Sequence, residues 1–298
     1  MLRKVGMEAN RTFLFCPGNH PRKVEKVFGS GADVVILDLE DAVAIAEKPA
    51  TRAVAVEALK RERRCRGYVR VNAYDTEFCY GDICEIVGPW LDGIVLPKLE
   101  SVDDLRSVDW LLTNLERERG MEVGSVDVMP IIETAKGQDA ARAIAQAETR
   151  IKRLSFGAGD YTKDLGMEWS LGETELASMR AEMVVASRIG ELEPPVDTVF
   201  IHIREHDAFR ASCDLVRDLG FQGKLCIHPD QVPEANSAFT PTDAQLAFAR
   251  KVIEAFAEAE AAGSASIQID GYFVDYPIVD KAQRIVDIAE AIARAEAA

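Results

Sequence analysis

Eight short apolar runs, each separated from the next by a longer and more polar stretch, constrain the fold of this chain more than any other feature. Unbroken runs of Val, Ile and Leu are typical of strands that are buried on both faces, as in parallel sheets. Eight strand–helix repeats predict an α/β protein whose parallel sheet closes into a (β/α)8 barrel, the TIM barrel. The runs are TFLFC (12–16), DVVILDLE (33–40), YVRVN (68–72), GIVLPK (93–98), VMPIIE (128–133), RLSFGAGD (153–160), DTVFIHI (197–203) and KLCIHP (224–229).

The chain changes character after the eighth run, where two prolines precede two long helical stretches. We expect residues 1–235 to form the barrel and residues 236–298 to form a C-terminal helical extension, with helices over 242–262 and 282–295. Asp275 lies between Val274 and Tyr276 and just before Pro277, in a semi-apolar turn. Such a turn can close over a barrel mouth, so we predict that it acts as a lid.

Charge and cysteine content narrow the class of function. The 298 residues carry a formal net charge of -15, which argues against binding to nucleic acid or to an anionic membrane. Six cysteines are present without a C-x-x-C pair, and no stretch has the length and apolarity of a signal sequence or a membrane span. We interpret the chain as a cytoplasmic protein with reduced cysteines and a small-molecule partner.

The stretch from Val126 to Asp160 contains the first candidate site. Two of its apolar runs end on a carboxylate, Glu133 in one and Asp160 in the next, with a helical stretch between them. Neighbouring parallel strands place their carboxyl ends at the same edge of the sheet, so we expect these carboxylates to lie close together. Two carboxylates in that position predict a site for a divalent cation such as Mg²⁺.

Other polar residues stand at the predicted strand ends. Arg70 lies inside an apolar run, where an unpaired guanidinium is costly, so we expect it to face a carboxylate or an anionic ligand. Because barrel enzymes place their chemistry at the carboxyl ends of the strands, the remaining strand-end residues are also candidates. They include Asp38, Glu40, Asp41, Asn72, Lys98, His202, Arg204 and His228, and no role is assigned to the last four.

Several of these stretches together resemble the motifs of one family. The segments are FLFCPGNHPRKVEK, VVILDLEDAV, YVRVN, IVLPKLES, PIIETAKG, FGAGDYTKDLG, KLCIHPDQV and GYFVDYPIVDKAQ. They are similar to the citrate lyase β-subunit-like family, which includes malyl-CoA and citramalyl-CoA lyases and belongs to the HpcH/HpaI aldolase superfamily. The resemblance spans residues 11–287. It implies a barrel of the phosphoenolpyruvate/pyruvate type, assembled as a homotrimer or hexamer, and Mg²⁺-dependent cleavage of a carbon–carbon bond in a 3-hydroxyacyl thioester.

The resemblance also implies roles for individual residues. Glu133 and Asp160 match the metal ligands of the family, and Arg70 matches the residue that grips the keto-acid part of the substrate. Glu40 and Asp41 match carboxylates that support the outer shell of the metal and its waters.

Three further residues match positions of the family that serve the acyl-CoA substrate. Asp275 matches an acid/base that members of the family deliver from a neighbouring subunit. Arg22 and Lys26 match positions near the phosphates of CoA. The chain departs from the pattern at Gly159, where many members carry Glu, and this difference bears on the choice of substrate.

The leading hypothesis is a Mg²⁺-dependent lyase that cleaves malyl-CoA, citramalyl-CoA or a close analogue to acetyl-CoA and a 2-keto acid. A malyl-CoA thioesterase and a citrate lyase β-subunit that acts on an acyl carrier protein are the alternatives. A carrier-free aldolase for pyruvate or oxaloacetate, and a non-catalytic binding or assembly subunit, fit the residues less well.

Overall fold

The computed structural model describes residues 8–297, which form two compact units. The larger unit covers residues 10–239, and the smaller covers residues 240–297 together with residues 8–9. The domain boundary expected after residue 235 falls inside the helix Gln231–Phe239, the last helix of the larger unit.

The larger unit contains eight parallel strands that hydrogen-bond in chain order and close on themselves between the first and the eighth. The predicted (β/α)8 barrel is therefore confirmed. The strands are β1 (Thr12–Pro17), β2 (Val34–Asp38), β3 (Arg66–Arg70), β4 (Gly93–Leu96), β5 (Asp127–Ile132), β6 (Ser155–Phe156), β7 (Val196–Asp197) and β8 (Gly223–Cys226).

Helices surround the strands, and the long connection between β6 and β7 contains two of them. Within residues 8–297 no helix is long and apolar enough to cross a membrane. The helices of the barrel unit are α1 (Pro21–Val27), α2 (Lys48–Leu59), α3 (Cys79–Ile86), α4 (Val102–Glu118), α5 (Ala135–Ala145), α6 (Ala158–Leu165), α7 (Ala177–Ile189), α8 (His206–Leu219) and α9 (Gln231–Phe239), with 3-10 turns at Ile45–Glu47 and Thr174–Leu176.

The two-residue period of the strands sorts their apolar side chains into two layers. In β2, Val34 and Ile36 belong to the cluster inside the barrel, while Val35 and Leu37 pack in the layer between the sheet and the helices. Tyr68 of β3 also lies in the inner cluster. We call the residues that alternate into the barrel interior the inward series. At the carboxyl ends of the strands, the next residues of this series also point into the interior, and the candidate site forms there.

Strands β6 and β7 are shorter than the sequence predicts, because side chains take over the backbone hydrogen bonds there. The main-chain N–H of Ala158, at the start of α6, donates to Thr198 Oγ1 at 2.8 Å. Gln231 Nε2 donates to the Phe200 carbonyl at 2.9 Å. Residues 198–203 therefore leave the sheet, and Asp160 lies in the first turn of α6 instead of at the end of a strand.

A buried charge cluster lies between strands β7 and β8 and the surrounding helices, on the outer side of the sheet from Val196 and Leu225. Asp197 accepts hydrogen bonds from Lys224 Nζ at 2.5 Å and from Arg180 Nε and Nη2 at 2.9 Å each. Burial alone would raise the pKa of Asp197, but the charges of Lys224 and Arg180 lower it below its usual value. All three side chains are essentially inaccessible to solvent, so this cluster belongs to the core and does not belong to a binding site.

The smaller unit pairs helix α10 (Asp243–Ala261) with helix α11 (Tyr276–Ala297), and a hairpin of β9 (Ile267–Ile269) and β10 (Tyr272–Val274) connects them. Asp270 and Gly271 both have positive φ, 50° and 86°, as a tight two-residue hairpin turn requires. This turn was not predicted from the sequence, and the start of the last helix was expected at residue 282. Helix α11 begins six residues earlier, at Tyr276. The predicted loop around Asp275 is therefore a single-residue junction between β10 and α11.

Candidate active site

The first part of the candidate site is a bidentate ion pair at the carboxyl ends of β2 and β3. Asp38 and Arg70 are register partners in the two strands, and both follow the inward series. Arg70 Nε donates to Asp38 Oδ1 at 2.7 Å, and Arg70 Nη2 donates to Asp38 Oδ2 at 2.6 Å. The guanidinium carbon also lies 4.9 Å from the centre of the Phe15 ring. The expectation that Arg70 faces a carboxylate is confirmed, and its orientation is fixed on two sides.

Glu40 and Asp41 follow β2 and approach the same guanidinium. Glu40 Oε2 lies 2.9 Å from Arg70 Nη1, and Asp41 Oδ2 lies 3.8 Å from the same atom. Asp38 shapes this turn, because its Oδ1 accepts the main-chain N–H of Glu40 at 2.9 Å. Burial raises the pKa of Glu40, although the charges of Arg70 and Lys98 oppose that rise.

Lys98 connects the two halves of the site. Its Nζ lies 2.5 Å from Glu40 Oε1, 3.1 Å from Asp160 Oδ2 and 3.7 Å from Asp41 Oδ2. A continued β4 strand would send Lys98 outward with Ile94 and Leu96, but its φ of 49° ends the alternation. Burial alone would lower the pKa of Lys98, and the hydrogen bond and charge of Glu40 raise it above its usual value. The side chain is therefore an ammonium among three carboxylates.

Glu133 follows β5 in the inward series of Met129 and Ile131 and is almost completely buried. Its Oε1 accepts the main-chain N–H of Lys98 at 2.9 Å. Burial raises the pKa of Glu133 to about 8, and the opposing charges of Arg70 and Lys98 do not offset that effect. A Cβ atom at Gly157 would lie 2.3 Å from Glu133 Oε2, so the absence of a side chain there gives the carboxylate its room.

Asp160 completes the cluster from the first turn of α6, where the amino-terminal end of a helix favours a carboxylate. Within residues 8–297 no three His, Cys, Asp or Glu side chains converge to hold a metal ion by themselves. Mg²⁺ commonly uses only one or two carboxylates and keeps several waters. Glu133 is a buried carboxylate with incomplete charge compensation, and Asp160 shares its cationic neighbour Lys98. These two groups therefore fit a partly hydrated divalent cation.

The structure brings together five of the eight predicted site residues, which are Glu40, Asp41, Arg70, Glu133 and Asp160.

The other three predicted residues lie elsewhere. Arg22 and Lys26 are exposed on one side of α1, which begins four residues after β1 ends. Asp275 belongs to the smaller unit and is half-buried, and its carbonyl accepts the N–H groups of Ile278 and Val279 at 3.0 Å each.

Of Lys98, His202, Arg204 and His228, to which the sequence assigned no role, Lys98 joins the cluster. His202 packs against Phe200, with the ring centres 5.7 Å apart, and His228 pairs with Asp230 at 3.5 Å.

Three residues that shape the site were given no role from the sequence. Asp38 was noted only as a strand-end carboxylate, yet its inward position opposite Arg70 was readable from the period of the two strands. Lys98 was left without a role, because a left-handed backbone at lysine has no sequence signal. Nothing in the sequence indicated Gly157, because the carboxylate of Glu133 needs the space beside this residue only once β5 and β6 lie side by side.

The sequence and the fold of this chain resemble the same group of known proteins. The family description HpcH/HpaI aldolase/citrate lyase matches residues 11–229. A citrate lyase subunit beta from Leuconostoc mesenteroides subsp. cremoris is 36% identical over 283 residues, covering 94% of this chain and 93% of that protein. An L-malyl-CoA/beta-methylmalyl-CoA lyase from Cereibacter sphaeroides is 35% identical over 305 residues, covering 95% of each chain.

Solved structures agree with these sequence relatives. The protein CitE from Mycobacterium tuberculosis, in complex with magnesium, acetoacetate and coenzyme A, superposes with a TM-score of 0.75 at 28% identity. That match covers 95% of this chain and 98% of the other. A citrate lyase from Burkholderia xenovorans, at 18% identity and a TM-score of 0.83, supports the fold alone. The barrel, the cluster at its carboxyl end and these relatives together make the chain a member of the HpcH/HpaI aldolase/citrate lyase family and a carbon–carbon lyase.

Proposed function

We propose that this protein is a Mg²⁺-dependent lyase that cleaves a 3-hydroxyacyl-CoA, such as malyl-CoA or citramalyl-CoA, to acetyl-CoA and a 2-keto acid. The observation that carries the proposal is the buried carboxylate of Glu133, with its raised pKa, in one cluster with Lys98 and Asp160. The relatives that are named as malyl-CoA lyases, and the CitE complex with magnesium and coenzyme A, support the same reaction class.

Glu133 and Asp160 would hold the cation. When bound there, Mg²⁺ supplies Lewis-acid chemistry that polarises oxygen atoms of the substrate. Carbon–carbon cleavage then requires that the hydroxyl lose its proton, which we assign to transfer through a water to one of the carboxylates of Glu40 and Asp41. The hydroxyl oxygen becomes the carbonyl of the keto acid, and the electron pair of the broken bond passes to the thioester as an enolate.

Arg70 would bind the keto-acid part of the substrate. Asp38 occupies Nε and one N–H of Nη2, and Glu40 lies against Nη1, so further N–H groups of the guanidinium stay available. A guanidinium fixed in advance stabilises the charge that develops on an oxygen without having to reorganise during the reaction. The bidentate contact with Asp38 therefore serves the chemistry through the orientation of Arg70.

The proton that completes acetyl-CoA would come from Asp275. We assign it the role of acid in cleavage and of base in the reverse condensation, delivered from a neighbouring subunit in a homotrimer or hexamer. Arg22 and Lys26 would supply local positive charge for the CoA phosphates on an otherwise acidic chain.

Product analysis by mass spectrometry tests the proposal. The purified protein is incubated with malyl-CoA or citramalyl-CoA, with Mg²⁺ or with a chelator. We expect acetyl-CoA together with glyoxylate or pyruvate, and only when the metal is present. Free CoA with an intact hydroxy acid would identify a thioesterase instead. Full activity with the chelator would refute the role of the metal.

Two variants distinguish a role of Glu133 in the site from a general effect of the substitution on the fold. Glu133→Gln keeps the size of the side chain and removes its charge, so we expect loss of turnover and of Mg²⁺ binding. Glu122→Gln makes the same change at an exposed position five residues before β5, at the opposite end of that strand, and should leave both unchanged. Equal activity of the two variants would contradict the assignment.

A citrate lyase β-subunit is the second candidate, and the relatives of that name at 32–36% identity favour it. Such a subunit would act on a citryl thioester of an acyl carrier protein. Cleavage of that thioester, without activity on malyl-CoA or citramalyl-CoA, would identify it. Absence of both activities and of Mg²⁺ binding would point to a binding or assembly subunit.

A further inference from the structure

The side chain of Lys98 contacts one of the two carboxylates of the proposed metal site. Its ammonium lies 3.1 Å from Oδ2 of Asp160, the less buried member of the proposed ligand pair, and 2.5 Å from Oε1 of Glu40. A cation therefore already contacts a carboxylate that a metal would use. The backbone conformation that places Lys98 there is strained, since a φ of 49° at a residue other than glycine costs on the order of 1 kcal/mol.

The charges around Lys98 explain why this contact matters. Glu40 and Asp41 share Arg70 and Lys98 as counter-charges, and Arg70 is also engaged by its bidentate contact with Asp38. Asp160 has Lys98 as its cationic contact at 3.1 Å. A divalent cation on Asp160 would lie close to the ammonium and would be repelled by it. An anionic substrate would meet a less negative surface in the presence of Lys98 than in its absence.

We propose that Lys98 is a positioning residue that competes with the divalent cation for Asp160 and thereby makes metal binding depend on the anionic substrate. The proposal rests on the proposed function only in that the site must bind a divalent cation. In this arrangement the ammonium weakens the binding of metal alone and strengthens the binding of a carboxylate ligand afterwards. The two effects have opposite signs, which a purely structural role of Lys98 does not produce.

The test is isothermal titration of Lys98→Met with Mg²⁺ alone, and then with pyruvate at saturating Mg²⁺. Coulomb energies between charges about 4 Å apart near a protein surface are large enough to change an affinity at least tenfold. We expect Mg²⁺ to bind at least tenfold more tightly than to the wild type, and pyruvate to bind at least tenfold more weakly. Lys98→Arg keeps the charge and should stay within about threefold for both ligands.

Lys98→Asn is a second neutral variant, because asparagine tolerates the left-handed backbone better than most residues. Far-UV circular dichroism and thermal unfolding in chelator identify any variant that does not fold. Weaker binding of both ligands, or unchanged binding of both, in the folded neutral variants would overturn the proposal for Lys98. Failure of the wild type to bind Mg²⁺ would instead overturn the proposed function, so the two failures are distinguishable.

Discussion

Replacement of Asp38 by asparagine tests whether Arg70 is held by this carboxylate. Asp38 accepts two charge-assisted hydrogen bonds from Arg70, at 2.7 and 2.6 Å, and its side chain is 3% exposed while that of Arg70 is 13% exposed. Asparagine keeps one acceptor and turns a donor towards the second N–H. Each bond to a charged group contributes ~1.5–3 kcal/mol, so we expect Asp38→Asn to lower the free energy of unfolding by about 3 kcal/mol.

Urea unfolding followed by circular dichroism measures this change, and thermal unfolding should show a Tm lower by roughly 6–10 °C. The kcat/KM for the thioester should fall by about 100-fold, because a reacting group misplaced by about 1 Å loses activity on that scale. Arg70 itself is unchanged in this variant, so the loss of activity would come from its orientation.

Asp41→Asn is the matched control. Asp41 approaches the same guanidinium, but at 3.8 Å and with a side chain that is 60% exposed. An exposed pair at that distance contributes little, so the free energy of unfolding should change by no more than about 0.5 kcal/mol. The reasoning is refuted if Asp38→Asn destabilises the protein no more than Asp41→Asn does.

Three further predictions follow from the structure. Gly157→Ala places a Cβ atom 2.3 Å from Glu133 Oε2, so it should cost ~1–3 kcal/mol in urea unfolding and weaken Mg²⁺ binding. In the presence of chelator, the free energy of unfolding should fall as the pH rises from about 4.5 to about 8. In that range Glu133, with a pKa of about 8, keeps its proton in the folded state, whereas it has lost the proton in the unfolded chain. Thermal unfolding across the range measures the effect. Asp197→Asn leaves two buried cations without their counter-charge and should cost ~3–5 kcal/mol in urea unfolding.

Each of these predictions has its own control. Gly159→Ala meets its nearest atom at 3.9 Å and should be tolerated; equal loss in both alanine variants would contradict the argument from space. Glu133→Gln should remove its part of the pH dependence, and an unchanged profile would exclude Glu133 as its source. Asp214→Asn removes a half-exposed carboxylate, so a similar loss there would contradict the argument from burial.

The strand period made much of the barrel predictable from the sequence. Buried parallel strands have a strong sequence signal in their unbroken apolar runs. Glu133 follows β5 and Asp160 follows β6, so both were correctly expected at the carboxyl-terminal face of the barrel. The junction of α6 was less predictable. A strand was expected to continue to Asp160, but Gly157 ends it and Thr198 caps the new helix from 40 residues away. Such a contact between distant residues leaves no local pattern.

Two other features were not predicted, for different reasons. The positive φ of Lys98 is imposed by its surroundings against the preference of the residue, so no propensity indicates it. The hairpin turn at Asp270 and Gly271 did have a signal, since Asp-Gly is a typical two-residue turn, and it was overlooked between two helical stretches.

The pairing of Asp38 with Arg70 has a consequence for how the site is assembled along the chain. Both residues come from consecutive βα units, 32 residues apart in the chain, and meet through the register of two adjacent strands. Glu133 and Asp160 come from later units. The proposed anion-binding part and the proposed cation-binding part of the site are therefore separate modules of the polypeptide, and Lys98, from the unit between them, is the side chain that links one module to the other.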